Sequence, residues 1–156
     1  MYKIGVLSDT HNYLDPKVGK LLQGVDHILH AGDIGQPRVI LELEQIAPVT
    51  AVAGNTDDPV FRFRLTETVE LAGRKFLVQH IVNPYVPSDT LQARLDRDRA
   101  TVVVFGHTHK PFCEPLRGVL FFNPGYAGKH RFGLPRSVAL LHCDGDDLRS
   151  EFLSLD

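Results

Sequence analysis

Seven side chains able to bind a divalent metal stand just beyond short apolar runs. VLSDTH ends in Asp9 and His11, LHAGD in Asp33, AVAGN in Asn55, FLVQH in His80, and VVFGHTH in His107 and His109. In open α/β folds, sites are assembled at the C-terminal ends of parallel strands. Five such strands therefore predict delivery of all seven side chains to one edge of a sheet. Residues at i and i+2 of an extended chain point the same way, which predicts that Asp9 with His11, and His107 with His109, each converge on a single point. Glycine precedes Asp33, Asn55 and His107, as expected where backbone turns sharply or another group approaches closely. Imidazoles, carboxylates and an amide together form a mixed nitrogen and oxygen donor set. It suits Mn²⁺, Fe²⁺, Co²⁺, Ni²⁺ or Zn²⁺, and suits Ca²⁺ or Mg²⁺ alone poorly.

Taken singly, most of these motifs have plainer readings. Asp9 with Thr10 can cap a turn, Asp33 can cap the helix that starts near Pro37, and Gly54-Asn55 is a common turn pair. His80, at the end of an apolar run, reads alone as an ordinary hydrogen-bonded histidine. Two histidines at one strand terminus, His107 and His109, have little packing purpose. The joint occurrence of the motifs, always after an apolar strand, decides for metal.

The elements that must position these residues change character midway. KIGVL, PKVGKLLQG, DHILHA, PRVILELEQI and VTAVA alternate as strand and helix, which predicts βαβαβ with parallel strands buried on both faces. The second half reads as hairpins: TVELAGRKFLVQH around a Gly-Arg turn, FCEPLRGVLFFNP around Arg117-Gly118, and SVALLHCDGDDLRSEFLSL around Asp144 to Asp147. Between them PSDTLQARLDRDRA offers Ser88 as a helix N-cap, with Leu91 and Leu95 at i, i+4 spacing, and predicts one more crossover. VFRFRL, residues 60–65, alternates apolar and basic side chains and reads as a strand that covers the site or meets a second subunit in a homo-oligomer. The expected architecture is a single α/β domain over 1–156 with two sheets packed together.

The totals exclude several classes of protein. With 156 residues, 43% of them hydrophobic and 23% charged, the chain is expected to be soluble and globular. A net charge of -2 offers no long-range field for gripping a nucleic-acid backbone. No apolar run approaches the roughly 20 residues of a membrane span, and the start of the chain lacks the apolar core of a secretory signal. Cys113 and Cys143 form no CxxC pair and read as packed thiols, so a cytoplasmic protein is expected.

Through SDTH (8–11), AGD (31–33), AGNTD (53–57), GHTH (106–109) and NPG (123–125), the chain resembles the calcineurin-like metallophosphoesterases, and within them the small YfcE-type phosphodiesterases. The resemblance runs over essentially the whole length. It implies a four-layer αββα sandwich of two mixed sheets with a two-metal centre at one edge. Carried over by motif, Asp9, His11 and His109 would bind one metal, Asn55, His80 and His107 the other, and Asp33 would bridge both. Manganese comes first among the divalent transition metals that such a centre would hold. Two ions about 3.5–4 Å apart lower the pKa of a shared water, so the implied reaction is in-line attack of a bridging hydroxide on a phosphodiester. Asp33, Asn55, His80 and His107 would then carry the catalytic centre, while Ser8 and Thr108 read as supporting residues.

Two departures from the family's pattern matter. Thr56, followed by Asp57, occupies the place where many larger members carry a histidine thought to assist the leaving group. Without a positioned acid, esters with acidic leaving groups should react best. Close relatives usually read His-Gly where this chain reads His80-Ile81, which predicts a narrower mouth or a weaker second metal. Tyr126 follows NPG where serine is common, and reads either as a pocket-lining phenol or as an ordinary partly buried tyrosine. Lys129, His130 and Arg131 read as a solvated loop that could meet a phosphate at the rim, and His27, His30 and His142 as structural.

The competing readings are a protein-binding scaffold, as in the retromer subunit of similar fold, and a binuclear hydrolase of a non-phosphate ester. The full ligand set argues for catalysis over the first.

Overall fold

A computed structural model describes residues 1–156. The first half forms β1 (Tyr2–Leu7), α1 (Val18–Leu21), β2 (His27–His30), α2 (Arg38–Leu43) and β3 (Val49–Ala51), and β2 pairs in parallel with both β1 and β3. This is the expected βαβαβ order. α1 is only a single turn, shorter than PKVGKLLQG suggests, because it contains Gly19 and no side chain caps its N-terminus.

β4 (Thr66–Leu71) and β5 (Arg74–Gln79) form the first hairpin. Its turn falls on Ala72-Gly73, one residue before the Gly-Arg position that the sequence suggested. Both turn residues have positive φ (51° and 78°), the twist that matches paired strands. α3 (Asp89–Asp98) starts at Ser88, whose Oγ accepts from the Leu91 amide at 3.1 Å. It buries Leu91 and Leu95 and returns the chain to β6 (Val102–Val104), parallel to β5. β7 (Phe112–Leu116) with β8 (Val119–Asn123), and β9 (Ser137–Asp144) with β10 (Asp147–Ser154), are the remaining hairpins.

The strands make two mixed five-stranded sheets, in the orders β10-β9-β1-β2-β3 and β4-β5-β6-β8-β7. Three apolar clusters then define four layers. Val6, Leu29, Phe76, Val78, Val104 and Leu141 belong to the cluster shared by both sheets. Leu7 and Ile28 instead pack with Val18, Val39 and Leu43 of α1 and α2. Leu77, Val103 and Phe121 pack with Leu91 and Leu95 of α3. Successive residues of one strand, such as Phe76 and Leu77, therefore enter different cores, which is why these strands are apolar throughout. The result is the αββα sandwich. No helix is long and apolar enough to cross a membrane.

Two expectations are corrected. Residues 60–65 are not a strand: Asp58 accepts from the Val60 amide at 2.9 Å, Pro59 fixes φ, and a 3-10 turn forms over Pro59–Phe61. Asp-Pro chemistry outweighs the apolar and basic alternation there. The five donor-bearing strands also do not share one sheet. β1, β2 and β3 belong to the first, and β5 and β6 to the second, so the donors meet across the edges of two facing sheets.

Candidate metal centre

The donors lie in the loops just past their strands, and five of the seven have left-handed backbone. Asp9, His11, Asp33, His107 and His109 have φ between 46° and 72°. The other non-glycine residues with positive φ include Ala72 and Arg117 in hairpin turns and Arg99 at the end of α3, where local geometry demands it. At the donors no hairpin or helix end does, and such backbone persists only where its surroundings fix it. Of the convergences predicted from extended i, i+2 spacing, Asp9 with His11 holds and His107 with His109 fails. Asp9, His11 and His109 form one group of mutually close donor atoms, and Asp33, His80 and His107 form another, so His107 and His109 part company.

Asp9 shows how the surroundings divide a carboxylate's two oxygens. Ser8 Oγ and the His107 amide donate to Oδ2, at 2.7 and 3.2 Å. Oδ1 is buried and makes no hydrogen bond, yet lies 3.3 Å from His109 Nε2, 3.7 Å from His80 Nε2 and 3.8 Å from His11 Nε2. Asp33 is arranged alike. Its Oδ1 accepts from the Thr56 amide at 2.9 Å, while Oδ2 faces His80 Nε2 at 3.2 Å and His11 Nε2 at 3.7 Å. Between the two carboxylates, the His11 and His80 Nε2 atoms are buried without a hydrogen bond in line.

His80 Nδ1–H donates to the Ala31 carbonyl at 2.7 Å, which turns the lone pair of Nε2 toward the carboxylates. Burial pulls its pKa down, but Asp33 and Asp9 outweigh this and the net direction is up. Burial likewise opposes ionisation of Asp33, but His80 and the Thr56 amide hold its carboxyl well below the usual range. His107 Nδ1 lies 3.1 Å from Asn55 Oδ1, so the remaining sequence-predicted donor, Asn55, joins the second group. Orphaned buried lone pairs facing two carboxylates are unfavourable in a bare protein, and divalent cations would satisfy them. The residues present fit such an ion.

The glycines have the close approaches expected of them. A Cβ at Gly54 would strike the Asp33 carboxylate, one at Gly106 would strike Ser8 Oγ, and one at Gly32 would come within 2.7 Å of His80 Nδ1.

Several residues hold the site in place through partners that the sequence did not reveal. The Asp57 carboxylate accepts from the amides of Ile34 and Gly35 at 3.0 Å and of Gly54 at 2.8 Å, tying the loop of Asp33 to that of Asn55. The AGNTD motif contains it, but periodicity does not reveal such a clamp. Asn123 Nδ2 donates to the Gly106 carbonyl and to Thr108 Oγ1, both at 3.1 Å, and so pins the loop of His107 and His109. His30, fully buried, donates from Nε2 to Thr10 Oγ1 at 3.0 Å, while Thr10 donates onward to the Ile34 carbonyl. Its Nδ1 accepts from the Gly32 amide at 3.2 Å. Burial pushes its pKa down to about 3, so it is a neutral strut. Tyr126 is 1% exposed and does not line a pocket as a free phenol. Its ring packs 4.7 Å from His109 and 6.4 Å from His11, with Arg131 5.3 Å over it. Lys129, His130 and Arg131 are exposed.

Residues 2–146 match the calcineurin-like phosphoesterase superfamily domain, and the chain belongs to that family. It is 35% identical to a probable metallophosphoesterase of Methanothermobacter thermautotrophicus, over 96% of this chain and 91% of that one. A solved archaeal phosphodiesterase is 26% identical with a TM-score of 0.73, over 97% of this chain and 99% of that one. Vps29 of Entamoeba histolytica, solved in complex with zinc, shares the fold at 20% identity and a TM-score of 0.75, over 99% of both chains. At the level of the family the chain is a phosphoester hydrolase that works with divalent metal ions.

Proposed function

We propose that the chain is a phosphodiesterase whose two donor groups hold two divalent transition-metal ions, manganese first among them. The observation that carries this is the convergence of Asp9 Oδ1, His11 Nε2 and His80 Nε2, three buried polar atoms with no hydrogen bond, on one small space. Asp9, His11 and His109 would hold one ion and Asn55, His80 and His107 the other, with Asp33, which lies within 3.7 Å of both His11 and His80, between them. Ions held there supply a water of lowered pKa and positive charge for the phosphoryl oxygens.

The protein's own part is orientation. Ser8 and the His107 amide fix which oxygen of Asp9 faces the site, and the Ala31 carbonyl fixes the tautomer of His80. Asp57 and Asn123 hold the loops at a spacing that side-chain packing alone would leave loose. Thr56, in the place of an acid, uses its amide on Asp33 and has no group able to give up a proton near neutral pH. Esters that depart without a proton are therefore the preferred substrates. A cytoplasmic location and action as one domain of 156 residues belong to the same reading, the first supported by two free thiols, Cys113 and Cys143.

The test is metal content per chain followed by turnover of the reconstituted protein. Two ions and faster cleavage of bis(p-nitrophenyl) phosphate than of an alkyl monoester are expected. Two ions without phosphoester cleavage would favour a hydrolase of another ester, and a chain that retains no ion would favour a scaffold.

A further inference from the structure

A groove of about 390 Å³ opens directly beside the second donor group, sharing Asn55 and His80 with it. Its outer wall is Leu65 and Ile81, which are 72% and 53% exposed, large apolar side chains held in water beside a polar site. Its floor is uncharged. Thr66 Oγ1 donates to Gln79 Oε1 at 2.7 Å, and Gln79 Nε2 donates to the Ile81 carbonyl at 3.1 Å, so the amide of Gln79 is already engaged at both ends. No Lys, Arg, Asp or Glu lines the groove. Where the surface continues past Thr90, it meets Arg94 and Arg97, and Asp98 already holds both guanidiniums at 2.6 and 2.8 Å.

We propose that this groove binds one ester arm of the substrate, and that the arm is uncharged and apolar, an aryl or branched alkyl group. This rests on the phosphodiesterase reading of the adjoining site and adds to it a substrate class. A phosphate bound between the donor groups has its substituents within reach of the groove, because Asn55 and His80 belong to both. Beyond the ion held at its inner end by Asn55 and His80, the groove offers no lysine or arginine to meet an arm carrying a second phosphate, whereas a flat apolar group covers Leu65 and Ile81 and removes their surface from water. Ile81, which could be seen from the sequence only as bulk replacing a glycine, is thus a specificity-determining residue.

The preference differs from one based on leaving-group acidity, because it appears in binding. Diphenyl phosphate and dimethyl phosphate are compared as competitive inhibitors of bis(p-nitrophenyl) phosphate cleavage by the metal-loaded protein. Diphenyl phosphate is expected to bind about tenfold more tightly, the effect of burying part of one ring. Leu65→Ser with Ile81→Ser should bring the ratio to about twofold or below, while Phe132→Ser, at a fully exposed apolar side chain outside the groove, should leave it unchanged. Both groove positions are exposed, so folding is not at stake, and a melting curve of each variant checks this.

Equal inhibition by the two diesters would overturn the inference while leaving the phosphodiesterase reading intact. A preference that survives the double variant, or that Phe132→Ser abolishes equally, would do the same. Absence of any diester cleavage with both ions bound would remove the reading beneath it and the inference together.

Discussion

Around Asp9, His11 and His109 the protein is closed on one side, with the two imidazoles half-buried. Tyr126 backs two of the imidazoles, Arg131 covers its ring, and Ala127 bonds to the carbonyl of Ser8 at 3.1 Å. The second group buries Asp33 and His80 and opens through His107 and Asn55, which are exposed, and the apolar groove begins beside Asn55. One group is backed by the Tyr126 ring, while in the other Asp57 ties the loop of Asp33 to that of Asn55. The same donor chemistry therefore has a packed half and an accessible half, and on the proposed reading the substrate approaches the second.

The strongest way to break this contrast is His80→Ala. His80 lies between both carboxylates, and its loss should remove one ion per chain and lower diester turnover by about 1000-fold or more, more than the loss of a supporting residue costs. A variant that keeps both ions would return His80 to a structural role. Next, Tyr126→Ala should destabilise the fold by about 3–5 kcal/mol, the usual cost of truncating a buried aromatic, measured by denaturant unfolding. If the closed half depends on packing, its ion should also dissociate faster.

Asp57→Asn probes the open half. The amide keeps the shape but loses a charge and one acceptor oxygen, so metal affinity there should fall about 10–100-fold while the melting temperature changes little, read by chelator competition. A parallel loss at the closed half would show that the two are one unit.

The smallest effect concerns acid stability beneath the closed half. Arg136 bonds to Asp15 at 2.9 Å, to Asp156 at 3.0 Å and to the Gly128 carbonyl at 3.3 Å, next to Tyr126. Burial raises the Asp15 pKa, but the Lys17 amide and Arg136 outweigh it and the net direction is down. A carboxyl whose folded pKa lies below its unfolded value stabilises the fold fully above about pH 4, the ordinary carboxylate value, and loses that contribution as pH falls through the folded pKa. Melting temperature should therefore drop below pH 4 in the parent protein, and less steeply in Asp15→Asn, which should also melt lower at pH 7.

Much of this was legible in the chain. Hairpin turns announced themselves through Gly73, Arg117-Gly118 and Gly145, the N-cap of α3 through Ser88, and the candidate donors, which the structure brings together, through their place after apolar runs. What stayed hidden depends on contacts between residues far apart in sequence. Asp57 meets Ile34 and Gly35 across 23 and 22 positions, and Asn123 meets Gly106 across 17, distances at which no periodic pattern survives. The segment 60–65 misled because an alternating pattern describes which side chains could share a face, while Asp58-Pro59 had already fixed the backbone before it. The division of donors between two sheets was likewise a matter of topology, which strand-end position alone does not encode.

The left-handed backbone of Asp9, His11, Asp33, His107 and His109 sets stability against activity. At each, a side chain that must reach the site holds the chain where glycine would be more at ease, at a cost on the order of 1 kcal/mol. Glycine at any of them would relax the fold while deleting a donor, so drift toward heat resistance and selection for hydrolysis pull these five positions in opposite directions.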